Sequence, residues 1–408
     1  MARVRVGKWM KARAGMISFS QRTAWDTEES ELGAAHRERL AAGLAVADLT
    51  ASNPTRLGFA YPESWLSPLG EVGALDYEPV AMGALAAREA VCAYYASHGA
   101  VLEPGQVLLT TSTSEAYSYL FKLLCDPGDA VVVPGPSYPL FDFLADAEVV
   151  RIEPATLVYD HGWQLEMESL RRAITERTRA VVIVHPNNPT GHFTSRAQGQ
   201  ELAALCREHG LALVVDEVFL DYWFDGAVGA EDRESFAGRD LGVPVFVVSG
   251  ASKVCALPQM KAAWIAVTGT QQAEALARLE VLADTYLSMN APVQRGLPLW
   301  LTEREALQAQ VRARVEGNLA EMDKLLARQE LVSRLGVEGG WYAVLRLPAV
   351  ATGEEVSRAL LERGVWVHPG SFFGMDARGW LVVSLLGVPE EFRRGVGILL
   401  KYAAEMAG

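Results

Sequence analysis

Lys253 is the residue of this 408-residue sequence whose position is most indicative of chemistry. It follows the apolar run 243–248 and lies in a segment of small residues that begins at Ser249. The end of a buried strand suits an amine that forms a Schiff base with a carbonyl cofactor better than it suits a surface charge. Asn188 and Asp216 also follow short apolar runs. Three polar groups at three strand ends predict one shared cofactor pocket.

Alternating strands and helices must position these three groups. Short apolar and β-branched runs predict strands over residues 107–109, 131–133, 181–184, 211–215, 245–248 and 264–267, most of them separated by a predicted helix. Such runs are typical of a mostly parallel sheet that is buried on both faces. A parallel sheet binds its ligands at the carboxyl ends of its strands, where Lys253, Asn188 and Asp216 lie. The sequence therefore predicts an α/β fold with a mostly parallel mixed sheet flanked by helices.

The last third of the chain has a different pattern. Residues 271–329 are predicted to be helical with a break near Pro292. Strands are then predicted over residues 331–337, 341–347, 365–367 and 380–385, with helices over 354–363 and at the C-terminus. This mixture predicts a smaller α+β domain. We expect an N-terminal arm and part of the small domain in residues 1–65, a large cofactor-binding domain in residues 66–300 and a small C-terminal domain in residues 301–408.

The composition disfavours several classes of protein. The formal net charge of −13 argues against a nucleic-acid-binding protein, which would present a basic face. No apolar run approaches the roughly 20 residues that a membrane helix needs, and no signal peptide follows the basic residues at positions 3–13. The four cysteines are widely spaced, so neither a disulfide framework nor a metal site is indicated. We therefore expect a cytoplasmic protein that binds neither nucleic acid nor membrane.

Taken together, the motifs around Lys253, Asp216 and Asn188 resemble those of the aspartate aminotransferase superfamily, the fold type I enzymes that use pyridoxal 5'-phosphate. The resemblance begins near Ser52 and extends to the C-terminus. It implies that Lys253 binds the cofactor as a Schiff base and, once released, moves a proton between substrate and cofactor. It also implies that Asp216 keeps the pyridine nitrogen protonated. Asn188, in the segment Asn-Pro-Thr-Gly, is expected to donate to the phenolic oxygen.

The same resemblance implies how the rest of the cofactor is held. Tyr138, in the segment Pro-Ser-Tyr-Pro, is expected to stack on the pyridine ring. A helix that begins near Ser112 offers backbone N–H groups and hydroxyls to the phosphate. Lys261 stands where the family usually has an arginine, and it offers a point charge in place of a bidentate fork. The expected phosphate ligands are Ser112, Thr113, Ser114, Ser249, Ser252 and Lys261.

Two further segments resemble parts of the family that reach across a subunit interface. Tyr77 resembles a tyrosine that binds the cofactor phosphate of the neighbouring subunit. Ser288 and Asn290 belong to a segment that resembles a second cross-subunit contact, and Ser288 is also a candidate for substrate binding. The resemblance therefore implies a homodimer whose active sites are shared between subunits.

The chain departs from the family pattern close to the cofactor. Phe219 stands where the family usually has a tyrosine that also donates to the phenolic oxygen, and Gly250 stands where it often has a serine. Loss of the tyrosine hydroxyl leaves the phenolate less stabilised. The protonated Schiff base is then favoured, so we predict that its pKa is raised relative to family members with tyrosine.

The largest departure concerns the arginine that binds the substrate α-carboxylate in the family. The best register of residues 381–384 places Val383 at its position, and that predicted strand contains no arginine. A bidentate arginine–carboxylate pair is a main source of substrate orientation. Arg56, in the segment that also contains Asn53, is our candidate for a substitute, and Arg378 is a second one. The alternative is a substrate whose carboxylate is absent or bound differently, such as an amine.

These residues predict a pyridoxal-phosphate-dependent transaminase. It would move an amino group between an amino acid, or an amine, and a 2-oxo acid. The same residues also serve β-lyases, synthases and oxidases of this fold, because the cofactor carries the chemistry. Those enzymes form the alternative. A nicotinamide dehydrogenase is disfavoured because the sequence has no strand–GxGxxG–helix unit.

Overall fold

A computed structural model of the chain describes residues 17 and 19–407. Numbered along the chain, its strands are β1 (Ala47–Asp48), β2 (Val107–Thr110), β3 (Ala130–Gly135), β4 (Arg151–Tyr159), β5 (Trp163–Leu165), β6 (Thr178–Val184), β7 (Ala212–Asp216), β8 (Pro244–Gly250), β9 (Ala263–Gly269), β10 (Ser333–Arg334), β11 (Tyr342–Arg346), β12 (Val365–Trp366), β13 (His368–Pro369) and β14 (Trp380–Ser384). Its α-helices are α1 (Glu31–Ala41), α2 (Leu85–Ala96), α3 (Thr113–Leu124), α4 (Leu140–Glu148), α5 (Met167–Ala173), α6 (Arg196–His209), α7 (Ala251–Val254), α8 (Gln272–Tyr286), α9 (Ala291–Leu326), α10 (Gly353–Glu362) and α11 (Pro389–Ala407). The basic residues at positions 3–13 lie outside the described residues.

A mixed sheet forms the centre of the large domain. In the part of the chain that the structure describes, its eight strands follow the order β2-β9-β8-β7-β6-β3-β4-β5. The strands from β8 to β4 are parallel, whereas β9 is antiparallel to its neighbours and β5 is antiparallel to β4. Leu213 and Val215 of β7 pack into one apolar layer and Val214 packs into the other, so the sheet is buried on both faces. The predicted α/β fold with a mostly parallel sheet is confirmed.

A second, antiparallel sheet, ordered β10-β11-β14-β13, forms the small domain together with α10 and α11. Strand β1 pairs with β12, with Ala47 opposite Val365, and this pairing attaches the N-terminal segment to the small domain. The predicted α+β character is confirmed. The strand predicted over 331–337 is wrong in length, because β10 covers only Ser333–Arg334. The β4–β5 hairpin was not predicted from the sequence.

Helix α9 belongs to both domains. Its Leu297 and Leu307 pack in the core of the large domain, whereas Val311 and Met322 pack in that of the small domain. The expected boundary between residues 300 and 301 falls inside this unbroken helix, and the domain limits stay a prediction. None of the helices in the described ranges combines the length and the apolar character that a membrane span requires.

Candidate active site

Asp216 ends β7, and two donors hold its carboxylate. The backbone N–H of Val218 donates to Oδ1 over 3.0 Å, and the Tyr117 hydroxyl donates to Oδ2 over 3.0 Å. Burial raises the pKa of Asp216 to about 6, while these two hydrogen bonds and the positive charge of Lys253 oppose the rise. The carboxylate therefore remains mostly ionised at neutral pH although it is buried.

Lys253 lies in α7, a single turn that directly follows β8. Its Nζ lies 4.8 Å from the centre of the Trp341 ring and 5.7 Å from that of the Phe219 ring. Burial lowers the pKa of Lys253 to about 8, and the negative charge of Asp216 opposes that shift. The charge of Asp216 thus acts on the Lys253 amine, as expected for two groups of one site. Near pH 8 a large fraction of the amine is neutral.

Asn188 follows β6, the strand that pairs with β7 and places Val184 opposite Asp216. The preceding Asn187 is fixed by hydrogen bonds from its Nδ2 to the Pro136 carbonyl (3.0 Å) and to the Thr190 hydroxyl (2.9 Å). Asn188 is 8% exposed, yet its Oδ1 is buried without a hydrogen-bond partner. A buried amide that lacks a partner is unfavourable. The Asn188 Oδ1 is therefore available to a hydrogen-bond donor on a bound ligand.

Aromatic side chains form the outer wall of the pocket. Tyr138 follows β3, and its side chain is 42% exposed. Burial and then the charge of Asp216 raise the pKa of Tyr138, so its hydroxyl lies in the field of that carboxylate. Tyr342 of β11 packs against this wall from the small domain. Its ring centre lies 6.4 Å from that of Phe219 and 6.4 Å from that of Phe373. The stacking of Tyr138 on a cofactor ring stays a prediction.

Three of the expected phosphate ligands begin α3. The Ser112 hydroxyl caps the helix by accepting a hydrogen bond from the Glu115 N–H over 3.1 Å, and the helix starts at Thr113. The first turn of a helix has N–H groups without a partner inside the helix, and those of Thr113 and Ser114 belong to this turn. Such a turn is a suitable anion site.

The other three expected phosphate ligands differ in placement. Ser249 is fully buried, and its hydroxyl donates to the Glu217 carbonyl over 3.4 Å. Ser252 is partly buried in α7, whereas Lys261 is exposed and has a left-handed backbone with a φ of 53°. Their contacts with a phosphate stay predictions. A Cβ on Gly250 would lie 2.9 Å from both the Ala262 carbonyl oxygen and the Ala263 Cβ, and this packing accounts for glycine in place of the usual serine.

Tyr77 and Ser288 lie together, but not in the pocket of Lys253. With Tyr119 and Asn290 they line a separate cavity of about 170 Å³. The side chain of Tyr77 is 80% exposed. Within a single chain these residues therefore take no part in the site around Lys253.

The candidate substrate ligands are at the periphery. The Asn53 Oδ1 accepts hydrogen bonds from the backbone N–H (3.2 Å) and the hydroxyl (2.7 Å) of Thr55, so Asn53 caps a turn. Arg56 ends that turn with an exposed side chain. Arg378 donates to the Val350 carbonyl over 3.3 Å at the surface of the small domain, which makes it a poor substitute.

The structure also shows which way β14 faces. Val383 is fully buried and packs in the small-domain core with Ala343. The adjacent Val382 packs with Val344 against Tyr342, on the opposite face of the sheet. Val383 shares its cluster with Phe219 and Trp341, so both faces of β14 adjoin aromatic residues of the site. In either register, an aliphatic residue stands where the family arginine is expected.

Three residues of the site were not found from the sequence. They are Tyr117, which donates to Asp216, Tyr222, whose hydroxyl donates to the Lys253 carbonyl over 2.7 Å, and Trp341. Tyr117 lies one helical turn after the predicted phosphate-binding start of α3, so the helical period could have indicated it. Trp341 follows two glycines, a turn signal similar to those that precede the other site residues.

Comparison with known proteins agrees with this geometry. A sequence model of the family described as aminotransferase class I and II matches residues 77–399. The chain therefore belongs to the class I and II aminotransferase family, and the predicted resemblance is confirmed. An alanine aminotransferase of Mycobacterium tuberculosis is 30% identical over 288 residues, which cover 67% of this chain and 64% of that protein. The chain thus spans less than two-thirds of the length of that relative.

Other relatives match over more of their length. An aspartate/prephenate aminotransferase of Thermus thermophilus is 30% identical over 335 residues, which cover 79% of this chain and 82% of that protein. The solved structure of an alanine aminotransferase from Pyrococcus furiosus has a TM-score of 0.83 at 22% identity and covers 92% of this chain and 96% of its own. A single mutant of the Thermus thermophilus aspartate aminotransferase also gives 0.83, at 23% identity, over 95% and 100% of the two chains. These two structures support the fold alone.

Members of this family use pyridoxal 5'-phosphate as their cofactor. The residues of this chain fit that molecule. The start of α3 presents N–H groups for the phosphate, and the Asn188 Oδ1 is left for a donor from outside the protein. Among residues 19–407, no carboxylate lies within ion-pair distance of the Lys253 amine, which leaves the amine open to a carbonyl group.

Proposed function

We propose that this protein is a pyridoxal-phosphate-dependent aminotransferase that moves an amino group between an amino acid, or an amine, and a 2-oxo acid. The main support is a pair of groups at the ends of the adjacent strands β7 and β8. Lys253 has a pKa of about 8, and Asp216, with a pKa of about 6, is mostly ionised at neutral pH. Transamination needs both a partly neutral amine and an anion that supports a protonated ring nitrogen.

Each residue of the pocket has a definable task. Bound pyridoxal phosphate would supply an aldehyde and a ring that accepts electrons. Lys253 would provide the amine that holds the cofactor and, once free, would take and return the proton of the substrate carbon. Both protonation states of Lys253 are populated near its pKa of about 8, so the same amine can serve as acid and as base. Asp216 would hold a proton on the ring nitrogen, and the hydrogen bond from the Tyr117 hydroxyl favours the ionised form of Asp216.

The outer wall determines how the substrate is held. The Phe219 ring lies beside the Lys253 amine, and Tyr342 packs on Phe219. The hydroxyl of Tyr342 hydrogen-bonds Ser52, so the segment that carries Arg56 adjoins this wall. We propose that Arg56 binds the substrate carboxylate where one is present. The proposal predicts that Arg56→Ala raises the Michaelis constant for amino acids but not for amines, whereas Arg378→Ala changes neither. An unchanged Michaelis constant for every amino acid would exclude this role.

We also propose a homodimer with shared active sites. Apolar side chains that line the cavity of Tyr77 and Ser288 are exposed: Tyr77 is 80% exposed, Val80 46% and Leu287 37%. Exposed apolar side chains grouped at one site are typical of a protein–protein interface. Mixing inactive Lys253→Ala subunits with Tyr77→Ala subunits should restore part of the activity if Tyr77 serves the neighbouring site. No recovery, or a monomer in light scattering, contradicts the proposal. A cytoplasmic location stays a prediction.

A panel of amino donors tests the proposed reaction. Purified protein with bound cofactor would be incubated with each donor and 2-oxoglutarate, and glutamate and the keto product would be quantified. The proposal predicts equimolar glutamate and ketone, and their loss in Lys253→Ala. Pyruvate and ammonia formed without an acceptor would identify a lyase and refute the transfer reaction.

A further inference from the structure

Three side chains from distant parts of the chain donate to the turn that carries Lys253. Each donor reaches a different backbone carbonyl of this turn or of the residues directly after it. The three bonds are from the Tyr222 hydroxyl to the Lys253 carbonyl (2.7 Å), from the Gln308 Nε2 to the Val254 carbonyl (2.8 Å) and from the Tyr61 hydroxyl to the Ala256 carbonyl (2.8 Å).

The turn needs support from outside because it is short. Helix α7 has only four residues, and an isolated turn of this length is unstable. Ala256, two residues after the helix, has a positive φ of 50°, which is unfavourable for a residue other than glycine. Within residues 19–407, the Val254 carbonyl accepts a hydrogen bond from Gln308 alone. Without Gln308 the Val254 carbonyl would lack a partner, whereas the Lys253 carbonyl also accepts from the Ala256 N–H over 3.1 Å.

The two buried donors are themselves fixed. Gln308 is 3% exposed and projects from α9, the helix that belongs to both domains. Tyr222 is 1% exposed, and its ring centre lies 5.1 Å from that of Trp341, the ring below the Lys253 amine. The carbonyl of Tyr222 also accepts a hydrogen bond from the Gly340 N–H over 2.6 Å. The position of the Lys253 backbone is thus tied to α9 and to the small-domain segment that delivers Trp341.

We propose that Gln308 and Tyr222 are positioning residues for Lys253, which hold its turn so that the amine stays over the Trp341 ring and close to Asp216. The inference rests on the proposed function, because it assigns Lys253 the chemical role. A carbonyl that loses a donor will rotate towards water. The helical turn α7 will then shift and carry the Lys253 amine with it. A displacement of about 1 Å at a reacting group lowers a rate by up to about a hundredfold.

The test compares Gln308→Met and Tyr222→Phe with the wild type. Both variants keep the shape of the side chain and remove only the donor. We expect kcat to fall about ten- to a hundredfold with the Michaelis constant unchanged. In cofactor-free protein the pKa of the Lys253 amine should rise above about 8, because the amine gains access to water while Asp216 remains the charged group that acts on it. The pH dependence of the rate at which added pyridoxal phosphate forms a borohydride-reducible adduct at Lys253, followed by mass spectrometry, reports that pKa.

Gln329→Met is the matched control. The Gln329 Nε2 also donates to a backbone carbonyl, that of Val332 over 2.7 Å, but it does so in the small domain away from Lys253. This variant should lose thermal stability without a change in kcat or in the pKa of Lys253. If Gln308→Met and Tyr222→Phe behave as this control does, the positioning role is refuted. If the wild-type protein itself forms no adduct at Lys253, the proposed function fails instead.

Discussion

Replacing Tyr117 by phenylalanine should make cofactor binding depend on pH in the neutral range. The Tyr117 hydroxyl donates to the Asp216 carboxylate over 3.0 Å, and a hydrogen bond to a charged group contributes about 1.5–3 kcal/mol. Its loss corresponds to about a ten- to hundredfold higher proton affinity of Asp216. With a pKa of about 6, Asp216 is about 90% ionised at pH 7 in the wild type. In the variant, the ionised fraction should fall to about 10–50%.

The assay is the dissociation constant of pyridoxal phosphate from pH 6 to pH 9, measured by fluorescence quenching or equilibrium dialysis. Because the ring nitrogen needs an anionic partner, the constant should rise about two- to tenfold at pH 7, and the difference should nearly vanish at pH 9. Tyr94→Phe is the matched control, since the Tyr94 hydroxyl also donates to a buried aspartate, Asp221, over 3.0 Å. A ratio of constants that does not change with pH, or an equal effect of Tyr94→Phe, refutes the reasoning.

Three further changes test other parts of the account. Burial raises the pKa of Glu217 to about 7, above its unfolded value of 4.5, so its contribution to stability is present below pH 4.5 and is lost as the pH rises through about 7. The stability of Glu217→Gln relative to the wild type, measured in denaturant titrations, should therefore increase by about 3 kcal/mol from about pH 4 to about pH 9. A stability difference that does not change with pH contradicts this. Phe219→Tyr should lower the pKa of the Lys253 Schiff base in a spectrophotometric titration, because the added hydroxyl stabilises the phenolate; a lower pKa in the wild type would overturn the interpretation. Gly250→Ser should destabilise the protein by about 1–3 kcal/mol because its Cβ would lie 2.9 Å from two neighbouring atoms, whereas Gly317→Ser, where nothing lies within 4 Å, should not; equal unfolding curves would refute the steric argument.

The sequence indicated the inner part of the site well. Lys253, Asp216 and Asn188 each follow a run of apolar residues, and the carboxyl ends of parallel strands meet at one edge of the sheet. The start of α3 was also predictable, since Ser112 is a good N-cap residue and the structure begins the helix at Thr113. In these cases a local pattern is sufficient to place the side chain.

The rest of the site depends on contacts between distant segments. Tyr222 and Gln308 reach the Lys253 turn from positions that are 31 and 54 residues away from their acceptors. Trp341 reaches Lys253 only because the small domain packs on the ends of β6 and β7, where the Gly191 carbonyl accepts from the Glu338 N–H over 3.2 Å. No local pattern specifies such contacts. The residue of β14 that replaces the family arginine also could not be assigned from the sequence, because a shift of one residue moves every side chain of a strand to the other face.

The most direct test of the account is the identity of the side chain that binds the cofactor. Protein purified with its cofactor would be reduced with borohydride and digested, and the peptides would be analysed by mass spectrometry. We predict a single pyridoxyl adduct on Lys253, and its absence in Lys253→Ala. An adduct on Lys261 or on another lysine, or no adduct at all, would contradict the assignment of Lys253.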